Sequence, residues 1–314
     1  MQSKGDTLNE LSIGWIGAGR MGLQICRRLL SAGCDVTAYN RTPEKLAALV
    51  AEGAKTVDSP AKLADRDIVF TMVADPDAFL TVTIGAEGLF SVDGAAPGFL
   101  IDSSTISHEA SEKVRARAEA QGTVLLAAPV SGNPKVAKAG RLTVVASGPF
   151  EAYERVKPYL QLFGSGVSYV GEGDLARLVK ICHNLLLGVV TQSLAEITVL
   201  AEKAGVSRAD FMSFINQSVM GSTFTKYKTP AFVNLDFTPT FTGHLLRKDF
   251  ELGLEAGREQ NVPLPTAALV HQLVIALIGS GRGDQDFATM LLQEADASGV
   301  RLEPENVEVS DGLS

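Results

Sequence analysis

The hydrophobic pattern changes period midway along the chain. Up to about residue 170, short apolar, β-branched runs at 12–17, 35–39, 67–73, 99–102, 124–127, 142–146 and 167–170 alternate with helix-compatible stretches. That alternation predicts an α/β fold of the Rossmann, doubly wound kind: a mostly parallel sheet with helices on both faces. Beyond it no strand pattern appears. Residues 171–205 run without proline, which at 1.5 Å per residue is about 45 Å of helix. Asp174 sits at its N-cap position and Gly205 at C′. Its first half is apolar nearly all round, a pattern that predicts burial from several sides. Lys180 and Asn184, four residues apart on one face, interrupt that pattern. Further helices are expected over about 208–218, 244–260, 263–279 and 286–295, with 232–241 as an extended aromatic connector.

These elements imply three segments. Residues 11–172 form a dinucleotide-binding domain, 173–298 an all-α C-terminal domain opened by the long interdomain helix, and 299–314 a loose acidic tail. A chain of 314 residues is long enough for two domains. With 28 Lys and Arg against 36 Asp and Glu, the net charge of −8 argues against a nucleic-acid surface. The longest apolar run, 185–190, stops at Thr191-Gln192-Ser193, short of a membrane span. The polar opening MQSKGDTLNE carries no apolar leader core. Cys26, Cys34 and Cys182 show no CxxC spacing and read as buried thiols of a reducing compartment. A cytoplasmic protein is expected.

The first candidate chemistry is the run Gly17-Ala18-Gly19-Arg20-Met21-Gly22. A lone G-x-G-x-x-G is a weak signal and can be a merely tight turn. Between a strand and a helix of one βαβ unit it is strong. The first glycine permits the turn, the second lets pyrophosphate approach the backbone, and the third lets helix and strand pack closely. The helix N-terminus supplies N–H groups to the phosphates. The second strand then ends in Asn40-Arg41-Thr42, where an NAD site usually places an acidic residue for the ribose. Arg41 can pair with a 2′-phosphate, so NADP is favoured over NAD. Val73-Ala74, Ser104-Thr105 and 129–133 all follow strands, where ligands of such sheets bind. Ser and Thr there more often cap the next helix, but three such ends together point to a cleft.

Lys180 is the second. Hydride transfer to or from an alcohol carbon needs a group that exchanges the hydroxyl proton and steadies oxyanion charge. A lysine does this when burial or a nearby cation lowers its pKa. In isolation a lysine on an apolar helix more often snorkels. Asn184 faces the same way and can orient substrate or ammonium. His183 has a suitable unperturbed pKa, although a histidine on such a helix is more often a packed core residue. His108, His244 and His271 form no metal-ligand spacing, and no metal is expected.

GAGRMG at 17–22, IDSST at 101–105, APVSGN at 128–133, KICHN at 180–184 and RKD at 247–249 occur in order. Over residues 11–295 they resemble the 3-hydroxyisobutyrate dehydrogenase, or β-hydroxyacid dehydrogenase, family. The resemblance implies a Rossmann domain followed by a helical domain that builds dimers or tetramers. It also implies hydride exchange between a nicotinamide and a small anionic 3-hydroxy acid or semialdehyde. By that likeness Lys180 is the catalytic residue and Asn184 helps hold substrate. Ser131 and Gly132, with Asn133 beside them, form the substrate carboxylate loop. Val73, Ala74 and Thr105 lie on the nicotinamide side, and Lys248 approaches the cofactor. His183, Ala127 and Asn133 depart from the family's commoner Asn, Asp and Gly, which bears on substrate choice. Two alternatives stand beside this. One is an imine reductase of the same fold, a group that generally replaces the lysine. The other is a non-catalytic dinucleotide-binding interaction protein.

Overall fold

The computed structural model describes residues 11–313, so the polar decapeptide read above for its lack of a leader lies outside the described residues. The chain divides into two compact units, Met1–Lys180 and Ile181–Ser314.

In the first unit, six strands form one wholly parallel sheet: β1 (Ile13–Ile16), β2 (Val36–Tyr39), β3 (Lys55–Thr56), β4 (Ile68–Thr71), β5 (Phe99–Asp102) and β6 (Val124–Ala127). Their spatial order is β3-β2-β1-β4-β5-β6. Ile13 of β1 faces Val36 of β2 on one side and Ile68 of β4 on the other. Every residue of β1 and β4 is buried. Helices on both faces cover them, which is why these strands read as unbroken apolar runs. Those helices are α1 (Arg20–Ser31), α2 (Ala47–Ala51), α3 (Pro76–Ile84), α4 (His108–Ala120), α5 (Pro134–Lys138) and α6 (Phe150–Leu160). The fully buried Trp15 stacks on Phe70 with centroids 5.6 Å apart, and Phe163 meets it edge-on.

The runs at 142–146 and 167–170 do not extend this sheet. They become β8 (Leu142–Ala146) and β9 (Gly164–Tyr169) of a separate three-stranded sheet that begins with β7 (Val130–Ser131). β7 pairs antiparallel with β8, and β8 parallel with β9. An antiparallel bridge between Ala127 and Ser147 marks where the chain leaves β6 for the new sheet.

The long helix α7 (Leu175–Lys203) begins in the first unit and continues into the second, so the boundary falls inside it rather than at 172/173. It is followed by α8 (Arg208–Gln217), α9 (Thr223–Asn234), α10 (Gly243–Glu259), α11 (Pro265–Leu277) and α12 (Met290–Ala297). No strand lies in this unit among the described residues. α9 overlaps the start of the connector expected at 232–241; Pro230 inside the helix masks it in the sequence. α7 starts directly after Asp174, as expected, and the Asp174 carbonyl accepts from Arg177 N–H at 2.9 Å, but the side chain does not cap the helix. The first-turn amide of Ala176 donates to Ser147 Oγ at 2.9 Å, while the Asp174 carboxylate is taken by arginines instead. Gly205 ends it as expected, at φ 93°, with Val206 N–H donating to the Ala201 carbonyl.

α7 is not buried all round. Arg177, Lys180, Asn184, Leu185, Thr191 and Ala195 lie on its buried face. Leu178, Val179, Leu186 and Leu200 lie exposed, Leu186 at 62% and Leu200 at 70%. By length and composition α7 could cross a membrane, contrary to what its broken apolar run suggested. Buried Arg177, Lys180 and Asn184 and its packing within the second unit mark it instead as a core helix. There Gly188 lets α10 approach: a Cβ at this position would stand 2.4 Å from Phe250 Cε2.

Two further features correct the sequence expectations. Cys182 is exposed, and only Cys26 and Cys34 are buried. Burial, with a contribution from the Glu52 charge, pushes the Cys26 thiol up to about 12. The tail is not loose: Glu305 accepts the α8 amides of Arg208 and Ala209 at 2.6 and 3.0 Å, and Leu302 joins the core.

Candidate active site

The turn between β1 and α1 fits a dinucleotide pyrophosphate on two observations. A Cβ at Gly17 would stand 2.2 Å from the Met72 carbonyl, and one at Gly22 2.0 Å from the Gly17 carbonyl. Gly19, by contrast, faces open space, and no side chain caps α1. An uncapped helix N-terminus of this kind favours an anion. No acidic residue lies in that turn. The Asn40 side chain fixes the rim, accepting from Ala18 N–H at 2.9 Å and donating to the Thr42 carbonyl at 2.8 Å. Its amide is thus tied to the glycine loop, and exposed Arg41 is the cation beside it.

At the end of β4, Val73 N–H donates to Ser104 Oγ at 2.9 Å. This bond joins the 73–74 and 104–105 turns, which the sequence placed on the nicotinamide side. Ser131 and Gly132 lie at the end of β7. Asn133, beside them, caps α5 with its Oδ1, which accepts from Val136 N–H at 3.0 Å, while its Nδ2 is buried without a hydrogen-bond partner among the described residues.

Lys180 is 9% exposed, so almost all of the residue is withdrawn from solvent. One turn before it on α7 lies the buried Arg177. Its guanidinium binds Asp102 at 2.6 Å and Asp174 at 3.3 Å. Arg115 also binds Asp174 at 2.6 Å. Burial pushes the Asp174 carboxyl up, but the Arg177 and Arg115 charges and hydrogen bonds from Ser111 and Arg115 outweigh it and hold it below its ordinary value. His108, Glu112 and Asp174 could together hold a metal ion by spacing. The two arginines already neutralise that carboxylate.

In the second unit, Asn184 Nδ2 donates to Asp249 Oδ2 at 2.5 Å, and Asp249 is 1% exposed. Since a carboxylate only accepts, Asn184 must turn its Oδ1 the other way, where His183 Nδ1 lies 2.9 Å off. His183 Nδ1 therefore carries the hydrogen of that bond. Lys248 Nζ lies 3.3 Å from Asp249 Oδ1. Asp249, left unassigned by its sequence neighbours, is thus the common partner of Asn184 and Lys248. Only the pairing of the RKD motif with the long helix could have signalled it.

A parallel sheet in this strand order, with a glycine turn between its first strand and first helix, defines a Rossmann-type dinucleotide-binding scaffold. Comparison with known proteins narrows the class. Residues 12–171 match the NAD binding domain of 6-phosphogluconate dehydrogenase. Residues 174–293 match the NAD-binding domain of NADP-dependent 3-hydroxyisobutyrate dehydrogenase. An uncharacterized oxidoreductase of Bacillus subtilis, YfjR, is 37% identical over 90% of this chain and 99% of its own. The 2-(hydroxymethyl)glutarate dehydrogenase of Eubacterium barkeri is 34% identical over 93% and 98%. Glyoxylate/succinic semialdehyde reductase 2 of Arabidopsis thaliana is 30% identical over 91% and 80%. Among solved structures, 3-hydroxyisobutyrate dehydrogenase of Salmonella typhimurium superposes with a TM-score of 0.81 at 26% identity, over 90% of this chain and all of that one. Psf3, solved with NADP+, gives the same score and identity over 90% and 99%. A Pseudomonas sp. imine reductase, 23% identical over 91% and 99% with a TM-score of 0.61, shares the fold alone. The chain belongs to the 3-hydroxyisobutyrate dehydrogenase family of NAD(P)-dependent hydroxyacid dehydrogenases.

Proposed function

We propose that this protein is an NADP(H)-dependent oxidoreductase acting on a small 3-hydroxy acid or the corresponding semialdehyde, with Lys180 as its acid–base group. The observation that carries this is a lysine kept 9% exposed on the buried face of α7. Burial disfavours the charged form of a lysine, and a titratable group held out of solvent in this way is characteristic of acid–base work. The α1 N-terminus and Gly19 would hold the pyrophosphate of the cofactor, and Arg41 would pair with its 2′-phosphate. NADPH, when bound, supplies the hydride. Lys180 gives the proton to the aldehyde oxygen in reduction and takes it from the hydroxyl in oxidation. Ser131 and Gly132 receive the substrate carboxylate, and Asn184, its amide fixed by Asp249, orients the substrate. A cytoplasmic location and self-association through the exposed face of α7 belong to the same proposal.

A screen of short aldehyde acids, glyoxylate and succinic semialdehyde among them, with NADPH and NADH at 340 nm tests it. The expected result is turnover of at least one with NADPH, and faster than with NADH. Turnover of cyclic imines alone, or of no aldehyde acid, overturns it.

A further inference from the structure

Arg177 is 4% exposed in the first turn of α7, one turn ahead of Lys180. Its Nη1 donates to Asp102 Oδ2 at 2.6 Å and to the Ser104 carbonyl at 3.4 Å. Its Nε donates to Ser111 Oγ at 3.0 Å and to Asp174 Oδ1 at 3.3 Å. Asp102, wholly buried at the end of β5, accepts on its other oxygen from Thr71 Oγ1 at 2.6 Å and from Ser104 N–H at 3.2 Å. Ser104 Oγ in turn accepts from Val73 N–H. One planar guanidinium therefore ties together the ends of β4 and β5, the side of α4 and the start of α7.

Two arginines, Arg115 and Arg177, face two carboxylates, Asp102 and Asp174. The formal charges of these four balance, with Glu112 3.5 Å from Arg115 at the exposed rim. What the cluster supplies is geometry. A guanidinium fork fixes direction as well as distance, and a buried ion pair is otherwise weak as a source of stability. From Arg177 to Lys180 the connection is one rigid helical turn, a rise of about 4.5 Å. A shift of Arg177 therefore reaches Lys180 undamped.

We infer that Arg177, anchored on Asp102, is a positioning residue that fixes where Lys180 stands relative to the 102–105 turn. The inference rests on Lys180 being the acid–base group, and it adds a strut that nothing in the five sequence motifs contains as a pair.

The test compares Arg177→Lys, the neutral pair Asp102→Asn/Arg177→Gln, Ser111→Ala and Lys180→Ala, using NADPH and the best aldehyde acid of the screen. Arg177→Lys keeps one bond to Asp102 and loses the fork. The double variant removes both buried charges together, and Ser111→Ala removes the hydrogen bonds to Arg177 and Asp174 but no charge, so it keeps the fold. A misplacement near 1 Å costs up to about a hundredfold in rate. We expect kcat lower by about tenfold or more in Arg177→Lys and in the double variant, and by about threefold in Ser111→Ala. KM and NADPH affinity should stay within about twofold, and the primary deuterium isotope effect with 4-deuterated NADPH should change. In the cofactor-free protein, trace acetylation of Lys180 should rise severalfold in Arg177→Lys. Unchanged kcat and unchanged Lys180 acetylation in every variant that folds overturn the positioning role. If Lys180→Ala itself keeps wild-type kcat, the acid–base assignment fails instead.

Discussion

A buried lysine, an exposed arginine and three cysteines each make a separate claim that one substitution or label can check. Arg41 stands alone as the cation at the end of β2, with Asn40 bound to the glycine loop. A charge-assisted bond to a 2′-phosphate is worth about 1.5–3 kcal/mol. Arg41→Ala should therefore lower kcat/KM for NADPH by about tenfold or more while leaving NADH nearly unaffected. A wild-type preference for NADH would remove the basis of the NADP assignment. With the dilute native protein, a thiol reagent should label Cys182 quickly. Cys26 and Cys34, buried and with thiols pushed up by that burial, should react only on denaturation. Rapid labelling of three thiols would contradict the packing of α1. The site was legible in the sequence where its chemistry is local: the glycine turn, Lys180 and Asn184 each show in a few adjacent residues. Asp102 and Asp249 were not. Their partners lie 75 and 65 residues away in the chain, and an acidic residue beside a strand end or a lysine carries no mark of what it meets in the fold.

At the scale of elements, the close crossing of α7 and α10 within the second unit depends on Gly188. Gly188→Ala gains helix propensity of about 1 kcal/mol, but its methyl would overlap the Phe250 ring. Overpacking of that kind costs about 1–3 kcal/mol. A net fall in melting temperature is expected in calorimetry, whereas a rise would mean the ring yields freely. The Arg115–Asp174–Arg177 cluster makes a further claim through pH. The Asp174 carboxyl is held below its ordinary value in the fold, and Asp286, paired with Lys228 at 2.5 Å, is shifted the same way. For Asp286 burial pushes up, while the Lys228 charge and hydrogen bonds from Lys228, Thr240 and Ala288 outweigh it. A depressed folded-state value means stability that is present above the unfolded value. It is lost as pH falls through the folded one. Melting temperature should therefore drop steeply below about pH 4, and Asp174→Asn should flatten part of that slope. Strands of four buried residues and helices with clear ends were readable from their periods. β3 and β7, two residues each, are too short to have a period, and proline inside α6 and α9 imitates a break.

For the whole molecule, the exposed apolar residues of α7 matter most. Leu178, Val179, Leu186 and Leu200 lie together along the helix at 40–70% exposure, a patch of the kind that marks an interaction surface. The sequence showed the apolar residues but not their division into two faces, because burial depends on what packs against the helix. If a second copy covers this face, Leu186→Glu should lower the molar mass seen by light scattering. Labelling of Cys182 on the same face should slow as protein concentration rises. A variant of unchanged mass would place self-association elsewhere. The central claim, however, is chemical: a buried lysine on α7 exchanges the proton while the dinucleotide loop, built from separate residues, binds the cofactor independently. The most direct measurement is kcat and NADPH affinity of Lys180→Ala beside the wild type. Loss of a general acid–base group costs about a hundredfold to ten-thousandfold in kcat, and NADPH affinity should stay within about twofold. Wild-type turnover in Lys180→Ala would contradict the account.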